Sequence, residues 1–309
     1  MKRSLPDSLL REGHPDHALL ALLAAEITRR SGGPAALAQR FPAMLRQCID
    51  DVIMTPKTGR RAYEELEKTE KTYIGTRVEI ELRAMLDLPK GRLDTLILGR
   101  DVDIKNTMGN NWMIPTEAVD QPCILVAADE ARACCYLGLI VARPEYLTAG
   151  QNKDAKKSLA AGGFAHILWL LRDHPYPANF WRNLAPEVVA RIFAGKSGNQ
   201  RMANLFREVQ DRRVTRDVVA AVARQQDFMR RIRSDQGRGS RDLLAREGIL
   251  LLCGHYDADL IKSLGLPHCG PSDFISHRPR AGNAVELAAE HGFLLGSAER
   301  EEAPNLPGF

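Results

Sequence analysis

Long apolar runs are absent from this chain. The longest early one, residues 18–25, covers about eight positions, where a bilayer span needs roughly 20. Glu12 and Asp16 precede it and Glu26 follows, so the basic start and small-residue cleavage site of an export signal are missing too. Cysteine is scarce: Cys48, Cys123, Cys134, Cys135, Cys253 and Cys269 are six in 309 residues, without dense framework spacing. A disulfide scaffold is thereby excluded, and reduced thiols in a cytoplasm, with no membrane partner, are expected. An excess of one charge is also lacking. With 43 Lys and Arg against 39 Asp and Glu, charge acts through its placement. No internal repeat is visible.

What is present is an ordinary globular composition, 44% hydrophobic and 27% charged, which excludes wholesale disorder. At roughly 150 residues per domain, the length suggests two domains. Residues 18–29 and 35–54 carry apolar side chains at helical intervals, and a further helix is expected from about Thr72, with Ile74, Val78, Leu82 and Met85 on one face. The texture then changes. Residues 94–98 and 101–107 read as a hairpin about Gly99-Arg100, in a type II′ turn, followed by strands over 122–128 and 133–142. A helix is expected between Lys153 and Leu171. Three prolines in 172–186 mark a linker, and the tail from 299 to 309 reads as disordered. Thus 1–171 form an α/β domain and 187–298 a mainly helical one.

The hairpin carries the chemistry. On a strand alternate side chains share a face, so Asp101, Asp103 and Lys105 point one way while Val102 and Ile104 enter the core. Asp94 opens the neighbouring strand, and Glu79 approaches from the preceding helix. Phosphodiester hydrolysis needs such a set: carboxylates for a hard cation that neutralises the phosphate and acidifies a water, and a lysine for the developing charge. Taken alone, Asp-x-Asp-x-Lys equally fits solvated hairpin charges.

The wider sequence carries a resemblance. From about residue 50 to 267 the chain resembles the NaeI family of type II restriction endonucleases. The likeness runs through Lys68-Thr-Glu-Lys-Thr-Tyr-Ile-Gly75, Val78-Glu79-Ile80, Val102-Asp103-Ile104-Lys105 and Trp112-Met113-Ile114-Pro115. It continues through Gly198-Asn199, Asn204-Leu205-Phe206-Arg207, Gln226-Asp227-Phe228-Met229-Arg230-Arg231-Ile232-Arg233, Glu247-Gly248-Ile249, Gly254-His255 and Leu264-Gly265-Leu266-Pro267. The resemblance implies a PD-(D/E)XK restriction-endonuclease-like fold and an Mg²⁺-dependent homodimer that cuts both strands of double-stranded DNA, leaving 5′-phosphate and 3′-hydroxyl ends. It places the catalytic set on Glu79, Asp94, Asp103 and Lys105, with the three carboxylates as metal ligands. The helix-to-hairpin connection is one residue shorter here, so Glu81 and Asp101 stand as alternative carboxylates.

The second half is basic. Residues 195–246 hold thirteen Lys and Arg against six Asp and Glu. Helices are expected over 199–209 and 215–224, the latter capped by Thr215, at helix-turn-helix spacing, with the second helix entering a major groove. A third helix over 226–234, a short fourth over 241–247 and a strand over 249–253 complete a winged arrangement. A solvated arginine-rich bundle fits the same residues. The resemblance favours a catabolite-activator-like DNA-binding domain that takes up a second DNA site and activates cleavage. Arg207, Arg213, Arg216, Arg230, Arg231 and Arg233 are the candidate DNA contacts.

Weaker signals are set aside. Gly195-Lys196-Ser197 lacks the rest of a phosphate-binding loop, and Cys253-x-His255 with His268-Cys269 matches no zinc spacing. Lys57-Thr58-Gly59-Arg60 lacks the aspartate of a nucleotidyl-transfer motif. Asn110-Asn111-Trp112 suits either a turn over a core tryptophan or contacts to base edges. Two functions compete with restriction: a DNA-binding regulator on an inactive nuclease-like scaffold, and a repair endonuclease that nicks at mismatches.

Overall fold

The computed structural model describes residues 5–224, 229, 232, 239–279 and 283–293. The expected helix over 226–234, with Arg230, Arg231 and Arg233, lies largely outside them, and the tail 299–309 wholly so. Two compact units form: residues 1–53 with 60–179, and residues 54–59 with 180–309.

The first unit is a five-stranded sheet in the order β1-β2-β4-β5-β7, with β1 (Thr95–Ile97), β2 (Arg100–Thr107), β4 (Pro122–Asp129), β5 (Cys134–Val141) and β7 (Leu168–Pro175). A two-stranded ribbon joins β3 (Met113–Ile114) to β6 (Lys157–Ser158). Helices α1 (His17–Ser31), α2 (Pro34–Ile53) and α4 (Lys68–Met85) cover one sheet face, where Leu45, Ile49, Ile74, Val78 and Leu82 meet Val102, Ile104, Ile124 and Val126. Trp112, Cys123, Leu125, Tyr136 and Phe164 form a second core. With both faces covered, β4 and β5 read as continuous apolar runs with no alternation. Helix α4 starts four residues before the expected Thr72, because the Glu70 carboxylate turns back to accept the Glu67 N–H at 2.9 Å.

Two sequence expectations need correction. Residues 153–171 do not form a helix: they contain β6, a 3₁₀ turn over Gly162–His166 and the start of β7. Gly162 and Gly163 weaken a helix there, and the apolar run after them pairs with β5 instead, Trp169 lying opposite Gly138. The smallness of Gly138 makes that pairing fit, since a Cβ on it would sit 2.9 Å from the indole. Strand β7 also takes in the first residues of the expected linker.

The hairpin turns one residue early. Ile97 pairs Arg100, so the loop is Leu98-Gly99, and both residues have positive φ (51° and 76°), as a type I′ turn requires.

In the second unit a short helix α3 (Thr55–Thr58) packs against α7 (Arg216–Ala223). The unit continues with α5 (Pro186–Phe193), α6 (Gly198–Glu208), α8 (Ser240–Arg246), β8 (Leu250–Cys253), α9 (Ala258–Ser263), β9 (Phe274–His277) and α10 (Asn283–Glu290). Strands β8 and β9 are antiparallel, and Val214 bridges to Phe274 on β9. Met202, Phe206, Val218, Val222, Leu251 and Phe274 share the core.

Leu98 is 56% exposed and sits in the left-handed region, which costs an L-residue about 1 kcal/mol or more. Leu98→Asn is therefore expected to raise unfolding stability by about 1 kcal/mol. Urea denaturation would show a higher midpoint at unchanged slope.

Candidate active site

The loop that enters β1 is locked before the site begins. Pro89 gives its carbonyl to the Thr95 hydroxyl at 2.9 Å and to the Leu96 N–H at 3.1 Å. Asp101 Oδ1 accepts the backbone N–H groups of Arg92 (2.6 Å) and Leu93 (3.2 Å). Gly91 lies flush against this carboxylate, where a Cβ would come within 2.5 Å of Oδ1. Asp101, an alternative carboxylate on sequence grounds, is thus engaged in holding the loop. Glu81 is engaged as well, 2.9 Å from Arg77, in a cleft of about 470 Å³ lined by residues of α2 and α4.

So held, Asp94 Oδ2 accepts the Ile104 N–H at 2.7 Å. One turn of the pleat places Asp103 and Lys105 together. Lys105 Nζ lies 2.8 Å from Asp103 Oδ1, 3.4 Å from Asp94 Oδ2 and 3.1 Å from the Ile104 carbonyl. Asp103 is only 3% exposed, and its Oδ2 is buried with no hydrogen-bond partner. The parallel register sets Cys123 beside it, a thiol that burial and the Asp103 charge keep protonated and inert. Glu79 faces these charges from α4 without a direct hydrogen bond to them.

The electrostatics follow from burial first and from neighbouring charge second. Burial pushes Asp103 up to about 7, and the neighbouring Asp94 adds to the rise while Lys105 opposes it. Burial also raises Glu79, again with help from Asp94, and Lys105, Arg83 and Lys156 pull it back. For Lys105 burial favours the neutral amine, but Asp103, Asp94 and Glu79 together outweigh it and the ammonium is retained. Among the described residues no three His, Cys, Asp or Glu side chains converge into a ready-made ion site. The donor set nevertheless suits a hard cation: all oxygen, net negative, with one buried oxygen unpartnered.

Near the site, Asn111 binds the Leu159 backbone, giving Nδ2–H to its carbonyl at 2.8 Å and accepting its N–H at 3.2 Å. Trp112 is fully buried and donates to the Val126 carbonyl at 2.7 Å. Both are structural, so the base-edge alternative for this tripeptide loses Asn111. The sequence reading missed the loop clamp of Gly91 and Asp101. The Lys-Gly pair after Pro89 and the third acid of the hairpin were its only signals.

In the second unit Arg207 is taken up by Glu247, with two bonds of 2.7 and 2.6 Å, and by Asn204 at 2.6 Å. Arg213 stands 3.4 Å from Asp273, and Arg216 is exposed in the first turn of α7. Arg201 caps the end of α7, donating to the carbonyls of Val222 and Ala223 at 2.9 and 2.7 Å. Helix α7 itself is largely buried: Val218, Val219, Ala221, Val222 and Ala223 all lie inside. Thr215 stands at its N-cap without a side-chain capping bond.

Comparison with known proteins places the chain. Residues 33–291 match the family described as Restriction endonuclease NaeI. A curated relative from Lentzea aerocolonigenes, described as Type II restriction enzyme NaeI, is 36% identical over 286 residues, covering 87% of this chain and 86% of its own. The chain belongs to the NaeI restriction endonuclease family and is an enzyme of that class.

Because folding raises Asp103, its proton is held in the folded state while the unfolded chain releases it near 3.8. This contribution to stability is complete below about 4 and declines until about 7. In EDTA, the stability of Asp103→Asn relative to the parent is expected to rise across that window and level off above it. Urea denaturation at a series of pH values measures it, and a flat difference would contradict the burial argument.

Proposed function

We propose that this protein is an Mg²⁺-dependent, site-specific endonuclease that cuts both strands of duplex DNA. The observation that supports it most directly is the hairpin cluster: Asp103 buried against Lys105, Asp94 tied to the same strand, and Glu79 facing both. Glu79, Asp94 and Asp103 would hold the metal, which when bound neutralises the scissile phosphate and acidifies a water. Lys105 remains an ammonium at neutral pH, so it acts as a donor and not as a base. It holds the attacking water by hydrogen bond and stabilises charge growing on the phosphate oxygens. As the water oxygen bonds to phosphorus it gives up a proton to solvent, the bond to O3′ breaks, and O3′ takes up a proton from solvent. The ends are a 5′-phosphate and a 3′-hydroxyl.

Among the described residues each chain holds one such cluster, so cutting two antiparallel strands calls for two copies related by a twofold axis, a homodimer. The second unit is read as a winged helix-turn-helix domain that binds another copy of the target and activates cleavage. Val214 bridging to β9, and β8 beside it, supply a sheet next to α6 and α7. Helix α7 packs its apolar side chains inward and leaves Arg216 and Asp217 exposed in its first turn, the part of the helix that would meet a groove. The two short bonds to Glu247 make Arg207 a structural tie; Arg213, whose contact with Asp273 is a longer one, Arg216, exposed in the first turn of α7, and the arginines at 230, 231 and 233 stay the proposed DNA contacts. A cytoplasmic location is part of this reading because a restriction enzyme acts on DNA that has entered the cell.

On supercoiled plasmid, discrete linear fragments are expected with Mg²⁺ and none with EDTA. Asp103→Asn and Lys105→Met should each lower cutting by about a hundredfold or more while still retarding DNA on a gel. Retardation without cutting by the parent protein would favour the regulator. Nicked circles alone would favour the repair enzyme.

A further inference from the structure

The acidic cluster has an electrostatic problem of its own. Three carboxylates against one ammonium repel a phosphodiester, so a backbone brought to this site needs positive charge close by. A lysine-rich turn acts on it, since the charge of Lys156 reaches Glu79. Between Thr148 and Ser158 the chain makes a tight loop carrying Lys153, Lys156 and Lys157 against the single acid Asp154.

The turn is built, not loose. Asn152 Oδ1 accepts the N–H groups of Asp154 and Lys156, both at 2.9 Å, and the Asn152 N–H returns to the Lys156 carbonyl at 2.9 Å. Ala155 takes the left-handed conformation at the bend. The base is closed by the Thr148 N–H on the Ser158 carbonyl at 2.8 Å and by β6 on β3, with Ile114 opposite Lys157. Asn111, six residues beyond Lys105 on the chain leaving β2, grips Leu159 at the foot of the turn. The turn is therefore anchored to the chain that leaves β2 after Asp103 and Lys105, and Lys156 acts on Glu79 through its charge. Among the described residues none of the three has a carboxylate at salt-bridge distance, whereas most arginines of this unit are paired.

We propose that Lys153, Lys156 and Lys157 form a phosphodiester-binding turn that seats the DNA backbone next to the acidic cluster. The inference rests on the endonuclease reading above and adds the element that offsets its negative charge. Contacts of this kind set affinity and its salt dependence and carry no base preference.

The test compares the parent with the triple variants Lys153→Ala/Lys156→Ala/Lys157→Ala and Lys153→Arg/Lys156→Arg/Lys157→Arg. The probe is a linear duplex spanning a mapped plasmid cut position, in EDTA, from about 50 to about 200 mM salt. Each lost phosphate contact should flatten the slope of log K against log salt by about 0.9, so with two such turns in the homodimer the alanine variant should lose about five units of slope. Its KM for plasmid cutting should rise by more than its kcat falls, and the arginine variant should restore both. An unchanged slope and KM in the alanine variant, with the parent still cutting, overturns this proposal alone. Failure of the arginine variant to restore binding also overturns it, since charge would then not be the operative property. A parent protein that neither binds nor cuts duplex DNA overturns the endonuclease reading with it.

Discussion

The bond between Lys105 and Asp103 is the constraint around which the first unit is arranged. A carboxylate 3% exposed is costly unless a cation meets it, and removing one partner of such a pair costs roughly 3–5 kcal/mol in typical cases. Lys105 can reach Asp103 only because both lie on one face of β2. That face is defined by the burial of Val102 and Ile104 beneath α4 on the other. The apolar periodicity of the strand and its charged periodicity are thus the same fact seen from two sides.

From that pair outward, neighbouring features hold carboxylates close together against their mutual repulsion. The type I′ turn fixes the register of β1 on β2, and the clamp of Asp101 on residues 92 and 93 fixes where Asp94 leaves the loop. Asp94 is then tied to β2 by the Ile104 N–H. Burial first, and the neighbouring Asp94 after it, raise both Asp103 and Glu79. Such strain is typical of functional sites, where burial and like charges are set against each other.

In the second unit arginine is used in two ways. Arg201 and Arg207 stabilise the fold, one on the carbonyls at the end of α7 and the other on Glu247, so neither is free for a phosphate. A count of basic residues along 195–246 therefore overstates what that surface can offer a polyanion. Burial and pairing sort the count into scaffold and surface, and sequence position alone does not.

Much of the candidate site's geometry is legible in the sequence because it is local. Strand alternation brought Asp103 and Lys105 to one face, the hairpin brought Asp94 alongside, and helical spacing put Ile74, Val78 and Leu82 inward with Glu79 off that stripe. The fully apolar β4 and β5 were also visible as strands. What the tertiary structure alone decided were non-local choices. Residues 153–171 run from lysines and alanines into an apolar stretch that suits a helix, and only pairing with β5 and β3 makes them strands and a lysine turn. The roles of Asp101, Asn111 and Arg207 rest on partners 8 to 48 residues away. Local propensity and periodicity are written in neighbouring residues, but the partner of a long polar side chain is set by which distant backbone the packed core brings within reach.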